Sequence, residues 1–459
     1  MIKLDDKQRI HFIGIGGISM SGLARIMLSR GHIVTGSDRT NSSILDKIRG
    51  LGAKIYIGHN ENNVRLADLV VYTAAIGKDN PEYKEAARLG IPMLERSEFL
   101  GHIMKSYKYS INVAGTHGKT TTTSMIGAIM LEERLSPTIH VGGELDIIGG
   151  NTLVGESQYF ITEACEYVDS FLKFYPYLAL VLNIDKDHLD YFSGINAIKD
   201  SFYKFVSLVP ADGYIVGCVD DKNVKDILKR DLRCKNIITY AINDSTARWR
   251  ATDIKFDDNG CGSFVLTKDN EKYCEIKLNV KGMHNISNAV AASSVCFELG
   301  VKKETVVAVL REFKGAHRRY EYKGEKNGIK VIDDYAHHPS EIKATLEASK
   351  RSKFNKEWCV FQPHTYTRTK ELLNEFSEAF YDADNVIVTD IYAAREKDMG
   401  DINSSMLVDK LKKNNVNAIY IKQFDEIVDY LNKNVSDGDL ILTMGAGDVH
   451  IVGEKYLSE

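Results

Sequence analysis

Apolar residues along this chain keep two alternating rhythms. Short β-branched or aromatic runs at residues 10–13, 33–35, Lys54–Ile57 and Leu69–Tyr72 read as buried strands. Between them, residues 20–30 and Pro81–Leu89 carry apolar positions at helical spacing. Gly31 is a natural stop for the first helix, and Pro81 suits the first position of the second. The alternation returns with a strand at Tyr109–Ala114, a helix at 121–131, and strands at 159–162 and 178–184. Residues 213–281 read as shorter structural strands with turns at 257–260 and 268–270, followed by an alanine-rich helix over 282–299. Strands at 330–333, Glu357–Phe361, Asn385–Val388 and Leu440–Met444 then alternate with helices near 370–381 and 424–433. This pattern predicts an α/β protein whose parallel sheets bind ligands at the carboxyl ends of their strands.

At 459 residues the length suits about three domains. Polar Ser106-Tyr107-Lys108 and basic Gly315-Ala316-His317-Arg318-Arg319 are candidate joints, which gives domains at 1–106, 107–319 and 320–459. A net charge of −4 supplies no basic field for nucleic acid. Seven scattered cysteines without a C-x-x-C pair fit a reducing cytoplasm better than disulfides or zinc. The polar start and the lack of a long apolar run predict neither a signal peptide nor a membrane span.

Chemistry concentrates where strands end. Gly115-Thr116-His117-Gly118-Lys119-Thr120-Thr121 follows a strand and opens a helix, so its amides and helix dipole suit phosphate. Lys119 can reach terminal phosphates and Thr120 can hold Mg²⁺; Val113 stands where a full Walker A motif has its first glycine. The reading is an ATP site. Gly14-Ile15-Gly16-Gly17-Ile18-Ser19, with Asp38 further on, approaches a dinucleotide fingerprint, except for Ser19 in the place of glycine or alanine. NAD and another diphosphate ligand both remain open on this motif alone. Glu163, at a strand end, is a candidate metal carboxylate, and His188 within Asp185-Lys186-Asp187-His188-Leu189-Asp190 a metal ligand or orienting base. Asn285 and Asn288 can present two amides to a base edge, or Asn285 can simply cap a helix. Asp334-Tyr335-Ala336-His337-His338-Pro339 and Gln362-Pro363-His364-Thr365-Tyr366-Thr367-Arg368 form a polar rim.

As an ordered set these residues resemble the Mur ligase family, over the whole chain. The matching motifs are residues 14–24, 115–121, Glu163-Ala164, 183–190, 284–288, Arg318-Arg319, 334–339, 362–368 and 444–448. The resemblance implies a Rossmann-like N-terminal domain, a central P-loop ATPase-type α/β domain and a Rossmann-like C-terminal domain. It implies an ATP- and Mg²⁺-dependent ligase of peptidoglycan precursor synthesis, joining L-alanine to the carboxylate of UDP-N-acetylmuramate through an acyl phosphate. Gly14, Gly16, Gly17, Ile18, Ser19, Ser37, Asp38 and Thr73 would then hold the UDP-sugar rather than NAD. Gly115 to Thr121, Asn285 and Asn288 would hold ATP, and Thr120, Glu163 and His188 the metal. Lys119, Glu163, His188, Arg319 and Asp334 would be catalytic, and Tyr335, His337, His364 and Arg368 would receive the amino acid. Thr365 departs from an arginine common in relatives, and Cys165 from an acid. The carbamylated lysine of sister ligases falls near Phe202 or Tyr203, so none is expected.

Overall fold

The computed structural model describes residues 6–459, apart from the side chains of Glu144 and Asp146; the first residues of the polar chain start lie outside this range. The chain forms two compact units. The first comprises residues 1–184, 199–240 and 291–305, and the second residues 185–198, 241–290 and 306–459.

In the first unit, β1 (Arg9–Ile13), β2 (Ile33–Asp38), β3 (Lys54–Ile57), β4 (Leu69–Tyr72) and β5 (Met93–Glu95) make a parallel sheet in the order β3-β2-β1-β4-β5. The order reverses direction beside β1, the place where doubly wound sheets open a ligand crevice. Helix α1 (Ile18–Ser29) follows β1, then α2 (Ser43–Gly50) and α3 (Pro81–Leu89). Asn80 caps α3 by accepting from the Glu82 and Tyr83 amides, and Gly90 ends it in the left-handed region at φ 67°. Next come α4 (Arg96–Met104), β6 (Tyr109–Ala114) and α5 (Lys119–Glu132). They are followed by β7 (Thr138–Leu145), β8 (Gly150–Leu153), β9 (Tyr159–Ala164), β10 (Leu178–Val181), β11 (Tyr214–Cys218) and β12 (Ile237–Ala241). These lie in the order β12-β11-β10-β6-β9-β7-β8, parallel except for the β7–β8 hairpin.

The second unit contains an antiparallel meander of β13 (Trp249–Phe256), β14 (Cys261–Lys268) and β15 (Glu271–Lys281). It also holds β16 (Glu321–Lys326), β17 (Ile329–Asp334), β18 (Glu357–Phe361), β19 (Asn385–Val388), β20 (Ala418–Tyr420) and β21 (Leu440–Met444). Their order is β16-β17-β21-β18-β19-β20, with only β16 antiparallel. Both faces of this sheet are covered: Cys359, Phe361, Leu442 and Met444 pack into one core, Trp358, Val360 and Ile441 into the other. That two-sided burial explains why its strands read as continuous apolar runs. Among the described residues no helix is long and apolar enough to cross a membrane.

Candidate active site

Two glycine turns dominate the first unit, and each opens a helix without a side-chain cap. Gly17 precedes α1, and Gly118, at φ 83°, precedes α5. Helix amides left uncapped at a glycine turn are donors available to an anion. The first turn is braced from below. The Gly14 and Ile15 amides donate to the Ser37 carbonyl at 2.8 and 3.1 Å, and the Gly16 amide donates to Asp38 Oδ2 at 2.8 Å. A Cβ at Gly16 would lie 2.7 Å from that oxygen, so a larger residue would have to push the Asp38 carboxylate aside. Asp38 therefore shapes the turn. The Ser37 side chain is fully buried and meets His59 and Glu82, while its carbonyl serves the turn. Thr73 sits against Gly14, its Cγ2 3.2 Å from where a Cβ would be, while Ile18 is exposed beside the turn.

The P-loop is laced to the end of the central sheet by Asn183. The Thr116 amide donates to the Asn183 carbonyl at 3.2 Å, the His117 amide to Asn183 Oδ1 at 2.8 Å, and Asn183 Nδ2 to the His117 carbonyl at 3.1 Å. Hence β10 stops at Val181, three residues before the apolar run does. Lys119 folds back into the loop. Its ammonium donates to the Gly115 carbonyl, to that of Thr116 at 3.1 Å, and to Glu166 Oε2 at 3.2 Å. Burial alone would depress the Lys119 pKa, but Glu166 and Glu163 outweigh it and hold the pKa well above the lysine range. Glu166, 2% exposed, was not singled out in the sequence; its spacing of three from Glu163 was the only signal.

Glu163 pairs with Val113 across β9 and β6, and its Oε1 accepts from the Gly142 amide at 2.9 Å. A Cβ on the adjacent Gly143 would lie 3.3 Å from Thr120 Cγ2. Neighbouring positions of β7 thus touch the carboxylate and the P-loop threonine. These hard oxygen donors beside a phosphate loop suit Mg²⁺. Phe202, at the position considered for a lysine, is fully buried edge-on against Phe171, with ring centroids 5.2 Å apart.

In the second unit Arg368 departs most from expectation. Its Nε and Nη2 both donate to Asp187 Oδ1, at 3.0 and 2.8 Å, and Nη1 lies 3.1 Å from His364 Nδ1. Without ligand the guanidinium is paired with Asp187. Burial pushes the Asp187 carboxyl up, yet Arg368, helped by nearby histidines, holds it well below the usual range. His188 follows in the left-handed region at φ 53°, its amide donating to Asp187 Oδ1 at 2.8 Å and its Nε2 3.7 Å from Oδ2. Residues 185–198 belong to this unit and Glu163 to the other. Thr365 caps the helix Tyr366–Glu371 by accepting from the Arg368 amide at 3.4 Å.

Asp334 is held by the backbone around it. It is 6% exposed, and its oxygens accept from the Tyr320 and Ala336 amides at 2.7 and 2.8 Å and from Thr345 Oγ1 at 3.3 Å. Burial raises its pKa to about 6, with Arg319 offsetting part of the shift. These bonds shape the loop. The Arg318 guanidinium donates to Asp333 and to the Gly445 and Gly447 carbonyls at 2.7 to 2.9 Å. Arg319 instead lies over the Tyr335 ring, 5.1 Å from its centroid, and 4.0 Å from Glu341. His337 and His364 stand edge to face at 5.5 Å. Burial is the main cause that lowers their pKa values, to about 4 and about 3, so both are neutral at pH 7. Asn285 and Asn288 are buried and coupled. Asn285 Nδ2 donates to the Lys281 carbonyl at 2.8 Å and Asn288 Nδ2 to Asn285 Oδ1 at 3.2 Å.

A P-loop α/β fold with a second glycine turn, a placed carboxylate and a histidine rim defines a nucleotide-dependent enzyme. The chain belongs to the Mur ligase family. Models for the Mur ligase family catalytic domain, the Mur ligase middle domain and the Mur ligase glutamate ligase domain match residues 9–108, 113–296 and 318–447. A UDP-N-acetylmuramate–L-alanine ligase of Acetivibrio thermocellus is 58% identical over 98% of this chain and 96% of its own. One of Caldanaerobacter subterraneus is 54% identical over 100% and 99%. The crystal structure of the UDP-N-acetylmuramate-alanine ligase of Thermotoga maritima superimposes with a TM-score of 0.82 at 29% identity, covering 98% of each chain. A murein peptide ligase of Psychrobacter arcticus reaches 0.74 at 25% identity, again over 98% of each.

Proposed function

We propose that this chain is a cytoplasmic ligase that joins L-alanine to the lactyl carboxylate of UDP-N-acetylmuramate at the expense of ATP, with Mg²⁺. One observation carries the reading beyond family membership. Strand β7 touches both uncapped turns: His140 reaches Ser19 of the first, and Gly143 lies against Thr120 of the second. Two anion sites on one strand suit a sugar diphosphate and a nucleoside triphosphate brought together for phosphoryl transfer. The roles follow the chain: sugar nucleotide on residues 1–106, ATP on 107–319, amino acid on 320–459.

A carboxylate acylates poorly until it is phosphorylated. The lactyl carboxylate attacks the γ-phosphorus, ADP leaves, and an acyl phosphate forms; the amine of alanine then adds to the acyl carbon and phosphate departs. The first step brings two anions together, so Lys119 must leave Glu166 for the phosphates, where charge stabilisation counts most. Thr120 and Glu163 would hold Mg²⁺, which screens the charge between carboxylate and phosphate. By the family resemblance His188 would serve a metal, Arg319 and the Asn285–Asn288 pair the nucleotide, and neutral His337 and His364 with Tyr335 the alanine. The test is phosphate release from ATP with UDP-N-acetylmuramate and a panel of single amino acids and short peptides. Alanine giving the highest kcat/KM supports the reading. A preference for peptides would make this chain a peptide ligase on the same sugar.

A further inference from the structure

Ser19 breaks the dinucleotide pattern, and the structure shows what its hydroxyl meets. His140 lies in β7, 3% exposed, with Nε2 3.0 Å from Ser19 Oγ and Nδ1 2.9 Å from Thr152 Oγ1. Each hydroxyl can donate or accept, so a neutral ring satisfies both, one nitrogen donating and the other accepting. Burial, with Arg96 nearby, lowers the ring's pKa to about 3 and keeps it neutral. Helix α1 approaches closely enough that a Cβ at Gly22 would lie 2.7 Å from the ring. The imidazole is therefore fixed on three sides, and Ser19 stands at the second position of the uncapped helix. Arg96 Nη1 lies 3.4 Å from the same hydroxyl. Two residues beyond His140, the Gly142 amide holds Glu163.

We propose that His140 is a positioning residue for the sugar nucleotide: by fixing the direction of the Ser19 hydroxyl it orients the glycine turn toward the diphosphate and ties that turn to the strand whose Gly142 amide holds Glu163. This inference rests on the function proposed above. Serine at position 19 is then a requirement, because glycine or alanine would leave a buried imidazole nitrogen without a partner.

Two variants separate positioning from packing. An asparagine amide reaches the place of Nδ1 and keeps Thr152 while losing Ser19; a glutamine amide reaches the place of Nε2 and keeps Ser19. His140→Asn is expected to raise the KM for UDP-N-acetylmuramate about 3- to 10-fold, the worth of one hydrogen bond, with kcat and the KM for ATP held. His140→Gln is the rescue variant and restores that KM. Ser19→Ala should give the same rise, and combining it with His140→Asn should add nothing further. Equal losses in the Asn and Gln variants, or a matched rise in the KM for ATP, would reduce His140 to a packing residue and overturn the proposal. If His140→Asn does not fold, Ser19→Ala decides, because it leaves the buried ring in place; an unchanged KM there also overturns it. Calorimetry showing that the wild-type chain does not bind UDP-N-acetylmuramate would overturn the functional reading and this inference together.

Discussion

Glu166→Gln should tighten ATP binding while weakening the ligand-free protein. Lys119 Nζ lies 3.2 and 3.5 Å from the two Glu166 oxygens, and the side chains are 17% and 2% exposed. Breaking a fully buried pair costs about 3–5 kcal/mol, whereas an exposed pair is worth about 0–1 kcal/mol. Glutamine preserves an acceptor, and Lys119 keeps the Gly115 and Thr116 carbonyls. The loss should therefore be that of a charge-assisted bond, about 1.5–3 kcal/mol. In the nucleotide complex Lys119 serves phosphate instead, so the substitution raises the free state more than the bound one. Removing a negative charge from the loop acts in the same direction. Affinity should improve about tenfold, since 1.4 kcal/mol is a factor of ten. The folded pKa of Lys119 is raised, so its contribution is complete below the ordinary lysine value and is lost only as pH climbs through the raised one. Work at pH 7–8 therefore sees the full charge. Calorimetric titration with a non-hydrolysable ATP analogue and Mg²⁺, beside thermal unfolding, reads both effects. A lowered Tm with unchanged or weaker affinity would refute the reasoning, because Glu166 would then grip Lys119 equally in both states.

Glu357 is buried and its pKa is raised to about 8, chiefly by desolvation. A raised carboxyl stabilises fully below its unfolded value and loses that contribution as pH rises toward 8, so thermal unfolding of Glu357→Gln should depend less on pH between about 5 and 8. Gly22→Ala places a Cβ 2.2 Å from Thr152 Oγ1 and 2.7 Å from His140; it should cost about 1–3 kcal/mol by overpacking, read as a lowered urea midpoint. Arg368→Ala leaves Asp187 buried and unpaired, so it should cost about 3–5 kcal/mol and reduce kcat through His188, rather than raise only the KM for alanine. A stable variant with a selective alanine defect would return Arg368 to the substrate.

Most elements were legible because their signals are local. The period of apolar residues placed α3 with Pro81 at its first position, and four of the six strands of the last sheet, from residues a few positions apart. The errors fall where a local signal competes with a distant partner. Leu182, Asn183 and Ile184 look like strand, yet the chain leaves the sheet there because the Asn183 amide is needed by the P-loop 66 residues earlier. The helix read near 370–381 is two short helices, Tyr366–Glu371 and Leu373–Ser377, since the Thr365 cap starts the chain turning sooner than the apolar spacing suggests.

Site residues were legible by type more than by role. A charged group at a strand end can face a ligand or hold the backbone, and both uses call for the same residue. Asp334 and Arg368 show the distinction: the first gives its oxygens to amides within the adjoining loops, the second its fork to an acid 181 residues away. Neither choice leaves a mark on spacing. Glycine turns differ, because an uncapped helix start is itself the functional feature and its sequence signature is short. This is why Gly16-Gly17 and Gly115 to Thr120 could be read directly, while Glu166 and His140, which aim them, emerged only with the fold, as did the role of Asn183. Partners that aim a site are chosen by three-dimensional proximity, so one sequence carries their identity without carrying their address.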